Sequence, residues 1–168
     1  MRVVKIVLCG EGGVGKTSLA HRFTKGVFPR DIRLTVGIEH FTKVVKIAGE
    51  NLKVVLWDLG GEYRFRFLAP VFLRGACGGV FVFDVTRVST LYKLNEWLDI
   101  FRQYVGEVPS VLVGNKIDLK NLRNVDRERA EKYAVSRGFL GYYETSAKNN
   151  EGVDEPFIAL LEAIVRYT

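Results

Sequence analysis

The sequence predicts a doubly wound α/β domain, a mostly parallel sheet with helices on both faces, and three observations predict it. Short dense apolar runs alternate along the chain with segments of helical period. The runs Val3–Cys9, Val80–Asp84 and Val111–Asn115 lack polar alternation, as strands buried on both faces do. A glycine-rich loop, Gly10-Glu11-Gly12-Gly13-Val14-Gly15-Lys16-Thr17, joins the first run to an amphipathic segment. At 168 residues and 48% hydrophobic, the chain suits a single domain over 1–168 with a proper core. It contains no linker, internal repeat or low-complexity segment.

In chain order, strand Val3–Cys9 leads through the loop into a helix at Lys16–Lys25. Val44–Ile47 and Leu52–Trp57 flank Ala48-Gly49-Glu50-Asn51, which reads as a hairpin turn and supplies one antiparallel strand. A helix around Arg64–Leu73 precedes strand Val80–Asp84, and a third helix spans Leu91–Tyr104, with Ser89 or Thr90 as its cap. Strand Val111–Asn115 is followed by a helix at Arg127–Arg137, ended by Gly138. Strand Phe139–Glu144 and helix Val153–Tyr167 complete the series; in the latter Val153, Phe157, Leu160 and Ile164 recur at helical spacing and would face the sheet. Six strands and about five helices result, with a ligand site at the strand C-terminal ends.

The loop after the first strand carries phosphate chemistry. Glycines let successive N–H groups turn inward around a polyphosphate, and the next helix begins with its positive end toward it. Lys16 can reach the β- and γ-phosphates, while the Thr17 hydroxyl is placed to ligate Mg²⁺.

A second segment names the base. Strand Val111–Asn115 runs into Asn115-Lys116-Ile117-Asp118, and the Asp118 carboxylate can accept parallel hydrogen bonds from guanine N1–H and its exocyclic amine. Adenine offers no such donor pair, so a site with this acid discriminates through an unpaired buried charge. Further on, Glu144-Thr145-Ser146-Ala147-Lys148 places the Ala147 N–H where it could donate to guanine O6. The three segments in this order indicate a guanine nucleotide.

With these segments the chain resembles the Ras superfamily of small GTPases, and within it the Rab branch, from Val3 to about Tyr167. Trp57-Asp58-Leu59-Gly60-Gly61 looks like the family's Asp-x-x-Gly element with its preceding Trp. Arg74-Gly75-Ala76 and Val80-Phe81-Val82-Phe83-Asp84-Val85-Thr86 resemble the stretch through the central strand. Thr35-Val36-Gly37-Ile38-Glu39 resembles the first switch, with Leu34 where a Pro is common. The resemblance implies a phosphate-loop NTPase fold that binds GTP or GDP with Mg²⁺ and hydrolyses GTP. It implies that Thr35 binds Mg²⁺ and senses the γ-phosphate, that Asp58 acts in the metal's outer shell and that the Gly61 amide contacts the γ-phosphate. Phe28 would lie against the guanine ring. Gly12, Gly13, Val14, Gly15, Ser18, Ser146 and Lys148 complete the expected nucleotide site. Effectors, exchange factors and GTPase-activating proteins are the implied partners. Three aromatic positions of the branch's effector surface align with His40, Trp57 and Phe72, where His40 replaces a Phe; in the other reading Trp57 and Phe72 simply pack the second switch onto the sheet.

Glu62 departs from the pattern, standing where the family usually has the glutamine that orients the attacking water. A carboxylate keeps the acceptor but loses the amide donor, and its charge lies near an anionic transition state. At ~6 Å and an effective dielectric near 20 the repulsion is roughly 3 kcal/mol before screening. The expectation is slow turnover, below the order of 10⁻⁴ per second. In the opposing reading the segment swings outward and Glu62 is a solvated acid. Two function classes stay open: a slow switch whose activating partner supplies an arginine, and a GTP-binding interaction module with negligible turnover. A phosphate-loop kinase is disfavoured, since no acceptor-binding insertion or lid is visible.

Other features bound the reading. Cys9 and Cys77 sit in or beside apolar runs, which suits thiols in a reducing compartment. His21 and His40 lack metal-ligand spacing. The net charge of +6 arises from 25 basic and 19 acidic residues, with no basic stripe interleaved with stacking aromatics, which argues against nucleic acid as a partner. No membrane-length apolar run or signal-peptide pattern is present, and neither Arg2 nor the ending Arg166-Tyr167-Thr168 matches a lipidation motif. The expectation is a cytoplasmic monomer without a direct lipid anchor, with recruitment to membranes through a partner open to it.

Overall fold

The computed structural model describes residues 1–31 and 33–167; Thr168, the last residue of the expected domain, lies outside them. Six strands form one sheet: β1 (Arg2–Cys9), β2 (Ile38–Ile47), β3 (Glu50–Leu59), β4 (Gly78–Asp84), β5 (Ser110–Asn115) and β6 (Tyr142–Thr145). Their order is β2-β3-β1-β4-β5-β6. Only β2 is antiparallel to its neighbour; the remaining pairs are parallel. From β1 the chain builds first toward β3 and then, past the other edge of β1, toward β4. The crevice at that reversal lies at the C-terminal end of β1, where the phosphate loop begins.

Side chains alternate across each strand, so the apolar runs feed two cores. Val4, Ile6 and Leu8 of β1, Val80 and Val82 of β4 and Val111 and Val113 of β5 point to one face, under α1 (Lys16–Lys25) and α6 (Asp154–Arg166). There the rings of Phe23 and Phe157 stack at 4.3 Å. Val153, Phe157, Leu160 and Ile164 are buried on that face, as their spacing predicts. Val7, Cys9, Phe81, Phe83 and Leu112 point the other way, under α2 (Ala69–Leu73), α4 (Leu94–Val105) and α5 (Arg127–Ser136). Each fully buried Leu, Val or Phe contributes about 1.5–3 kcal/mol, so the cores hold the strand ends as a rigid platform. Cys9 and Cys77 are both free thiols, and burial pushes Cys9 up to about 12, which keeps it unreactive.

Several boundaries differ from expectation for local reasons. The hairpin turn is only Ala48-Gly49, both at positive φ (50° and 80°), so Glu50 and Asn51 already belong to β3. β2 extends back to Ile38, since an edge strand tolerates the polar Glu39, His40, Thr42 and Lys43. The segment expected as a helix at Arg64–Leu73 is a 3-10 helix at Tyr63–Leu68 followed by α2, which restarts with Pro70 in its first turn. The helix expected from Leu91 begins earlier as α3 (Val88–Tyr92) and meets α4 at Lys93, whose near-helical φ of −64° keeps the two almost continuous. Ser89 and Thr90 therefore lie inside the helix and do not cap it: the Thr90 hydroxyl accepts from the Asp84 N–H at 2.9 Å and donates to the Arg87 carbonyl at 2.7 Å. The last strand starts at Tyr142, because Phe139 leaves the ladder to fill the core behind α5. Gly138, at φ 78°, does close α5.

Candidate functional site

The loop residues 10–15 leave β1 and deliver Lys16 as the first residue of α1. Gly15 adopts φ 101°, and a Cβ there would run into the Asn115 amide, so glycine is required on both counts. That amide is placed to hold the loop: Asn115 Nδ2 donates to the Val14 carbonyl at 3.0 Å. Lys16 is only 5% exposed, and its ammonium donates to the carbonyls of Gly10 (2.9 Å) and Glu11 (3.1 Å). Burial lowers its pKa, against the pull of Asp58, so an anionic ligand that met this ammonium would relieve a desolvated charge.

Thr17, Thr35 and Asp58 arrive from α1, from the segment before β2 and from β3. The Thr17 hydroxyl donates to Asp58 Oδ2, and its oxygen lies 2.5 Å from that of Thr35. Thr35 also reaches Asp58 Oδ2 at 3.2 Å. Asp58 is fully buried, and among the described residues its Oδ1 has no hydrogen-bond partner. Burial pushes this carboxyl up, opposed by Lys16 and the two hydroxyls. Two hydroxyls beside a carboxylate with an unpaired oxygen form an oxygen-only donor set, which fits a hard divalent cation such as Mg²⁺.

At the other end, Asn115 Oδ1 accepts from the Thr145 hydroxyl at 2.9 Å and the Ala147 N–H at 3.3 Å, joining the ends of β5 and β6. The Ser146 hydroxyl donates to Asp118 Oδ1 at 2.8 Å, fixing the carboxylate. Arg22 of α1 donates to the carbonyls of Ala147 (2.9 Å) and Lys148 (2.8 Å), tying this loop to the first helix. Lys116, at φ 71°, donates to the Gly13 carbonyl at 2.6 Å.

One cleft of about 360 Å³ gathers most of the predicted residues. Gly12, Gly13, Gly15, Lys16, Thr17, Ser18, Phe28, Thr35, Gly61, Glu62, Asn115, Lys116, Asp118, Ala147 and Lys148 line it. Val14, Ser146 and Asp58 stand behind that wall, each fully buried. The Gly61 backbone packs so closely on Gly10–Gly12 that any Cβ there would strike them. Glu62 faces the cleft and also pairs with Arg64 at 2.8 Å. Arg33, Leu34 and Leu119 line the cleft as well, although none of them was expected there from sequence. Arg87, which donates to the Gly12 carbonyl from outside the loop, and Asp84, which pairs with Arg87, were also missed; the signal available was a carboxylate ending an apolar strand, as Asn115 ends its own.

The aromatic surface is only partly as expected. Trp57 is half-buried, with the His40 ring edge-on at 4.1 Å and the Lys5 ammonium 3.5 Å from its ring centre. Phe72 is fully buried in the core under α2, so it cannot present an effector-facing ring. The exposed aromatics nearby are Tyr63 and Phe67 of the 3-10 helix. From the same helix Arg66 lays its guanidinium 4.4 Å from the ring centre of the buried Trp97 and pairs with Glu96 at 3.2 Å.

Comparison with known proteins agrees with this geometry. The model of the Ras family matches residues 5–166. Ras-related protein RabJ of Dictyostelium discoideum is 39% identical over 162 residues, covering 96% of this chain and 63% of its own length. Ras-related protein Rab-30 of Homo sapiens is 41% identical over 157 residues, covering 93% of this chain and 77% of its own. Ras-related protein Rab-18-B of Danio rerio is 40% identical over 168 residues, covering 99% and 81%. The chain thus spans less than two thirds of RabJ and about four fifths of the others. A phosphate loop, a hydroxyl–carboxylate cluster and an Asn-Lys-x-Asp wall on this sheet, together with these matches, place the chain in the Ras family.

Proposed function

We propose that this chain is a guanine-nucleotide switch: it binds GTP and GDP with Mg²⁺, hydrolyses GTP slowly, and in its GTP form orders the Thr35 and Gly61 segments for effectors. The observation that carries this reading is the convergence of those two segments on the phosphate loop, Thr35 on Thr17 at 2.5 Å and Gly61 on Gly12. A site that only held a nucleotide would have no need of both. The family match over residues 5–166 supports reading the chain as one G domain.

Each residue then has a task. Lys16 exchanges the Gly10 and Glu11 carbonyls for the β- and γ-phosphates, and the loop N–H groups supply further donors. Thr17 and Thr35 would hold Mg²⁺ with Asp58 behind them, and the ion when bound neutralises phosphate charge. Asp118, steadied by Ser146, accepts from guanine N1–H and the exocyclic amine, while Ala147 N–H donates to O6 and Phe28 covers the ring. In hydrolysis a water oxygen bonds to the γ-phosphorus as the bond to the β,γ-bridging oxygen breaks; GDP and inorganic phosphate leave, the water proton going to the phosphate. Gly61 N–H donates to the γ-phosphoryl oxygens. Glu62 can accept from the water but donates nothing.

Glu62 in the cleft wall also favours the second reading, a GTP-binding interaction module with negligible turnover. Single-turnover conversion of pre-bound GTP to GDP with Mg²⁺, followed by chromatography over hours, separates the two. Steady conversion establishes the switch. GTP that persists unhydrolysed turns the search to an activating protein that supplies an arginine. Exchange factors and effectors belong to the same reading, as does a cytoplasmic chain brought to membranes by a partner; among the described residues no helix is long and apolar enough to cross one.

A further inference from the structure

Once Lys16 turns to a ligand, what holds the phosphate loop is the set of side chains on its next three carbonyls. Five successive carbonyls, Gly10 to Val14, each accept from a side chain. Lys16 serves the first two, Arg87 Nη2 donates to Gly12 at 3.3 Å, Lys116 Nζ to Gly13 at 2.6 Å and Asn115 Nδ2 to Val14 at 3.0 Å. A loop that turns its N–H groups inward turns its carbonyls outward, and each needs a partner there.

Two of these donors share one buried anchor. Asp84 Oδ2 lies 3.1 Å from Arg87 Nε and 3.1 Å from Lys116 Nζ, and the Asp84 side chain is 2% exposed. Its other oxygen accepts the Thr86 N–H (2.9 Å) and hydroxyl (2.6 Å). Burial would raise this carboxyl, but the Thr86 and Lys116 bonds outweigh it and hold the group ionised. Asp84 ends β4, which is buried along its whole length, so the anchor is rigid. Arg87 spans from that anchor to the loop with two nitrogens of one planar fork, which a lysine ammonium cannot do.

We propose that Arg87, aimed by Asp84, is a positioning residue that fixes the Gly12 peptide and thereby sets how long the loop retains its nucleotide. The proposal rests on the guanine-nucleotide reading. The Gly12 carbonyl and the Gly13 N–H belong to one peptide, so a bond that pins the carbonyl outside also orients the donor that faces the phosphates. Loosening that peptide weakens grip after docking, so it acts on release and leaves association nearly unchanged.

The test is release of N-methylanthraniloyl-GDP from the full chain, chased with excess GDP in Mg²⁺ buffer, with association rates and the melting midpoint of the GDP-loaded and nucleotide-free protein measured alongside. Arg87→Ala is expected to release about three- to tenfold faster, with association within about twofold of wild type and the nucleotide-free midpoint unmoved. Arg87→Lys is expected to follow the alanine variant, and Asp84→Asn combined with Arg87→Ala to add little to Asp84→Asn alone, since the two act as one unit. Release by Arg87→Ala at the wild-type rate, or full recovery in Arg87→Lys, overturns the proposal. A wild-type chain that fails to retain the labelled GDP would overturn the nucleotide reading itself, a result distinguishable from wild-type retention that the variants share.

Discussion

The Glu62 carboxylate and the Arg64 guanidinium stand 2.8 Å apart, at the start of the 3-10 helix of the proposed second switch. Glu62 thus faces the cleft with a cation beside it, which reconciles two opposed readings of the residue. The pair is exposed enough for water to screen it, Arg64 at 65% and Glu62 at 36%, so it lessens the repulsion on an anionic transition state without removing it.

Replacing the carboxylate is therefore expected to matter. Glu62→Gln restores a donor and removes a charge, and single-turnover hydrolysis should quicken by about tenfold, equivalent to ~1.4 kcal/mol of barrier. Arg64→Ala should slow the wild-type chain by a smaller factor. Equal rates in Glu62→Gln and wild type would mean that the charge is already screened.

Gly61→Ala places a methyl against the Gly10–Gly12 backbone. The Gly61 segment then cannot keep its close approach to the loop. Single-turnover hydrolysis should fall at least about tenfold, while GDP affinity, which does not need that closure, changes by less than about twofold. Titration with labelled GDP beside the hydrolysis assay reads both.

Phe72 and Trp57 should separate cleanly. Phe72→Ala opens a cavity under α2 and is expected to cost about 3–5 kcal/mol in denaturant unfolding. Trp57→Ala removes a half-buried ring and should weaken a GTP-dependent partner more than it weakens GTP binding. Equal losses in both for Trp57→Ala would assign the ring to folding.

Lys5 gives a pH dependence. Burial lowers its ammonium from the ordinary 10.5 to about 8, Cys77 acting weakly the other way. Below about 8 it is protonated folded and unfolded alike; between about 8 and 10.5 only the unfolded chain keeps the proton. Its contribution to stability therefore rises with pH across that window and is level on either side. Urea midpoints of wild type minus Lys5→Met, taken from pH 7 to 11, should show that rise; a flat difference would reject it.

The candidate site was legible where its signals are local. The loop to Thr17, the Asn115–Asp118 exit and the Thr145–Lys148 turn each carry their signal within a few residues, and the fold brings the three together around one cleft. Arg87 was not, because its bond to Gly12 spans 75 residues and becomes visible only when β4 lies beside β1. Of the two readings of Phe72, an effector-facing ring or a ring that packs its segment onto the sheet, the sequence could not choose, for a related reason. Alignment gives its position along the chain, whereas the restart of α2 at Ala69 decides which way its ring turns. The α-helical reading of Arg64–Leu73 failed at Pro70, whose missing N–H favours a new first turn over continuation of the preceding one.

The chain has only two tryptophans, and each has a cation over its ring: Arg66 of the 3-10 helix on Trp97, and Lys5 on Trp57, which pairs with β2. Indole emission is sensitive to such charges. The molecule therefore carries its own optical gauge: any movement of the 3-10 helix that takes Arg66 off the otherwise sealed Trp97 ring is expected to be readable in ultraviolet light with no label attached.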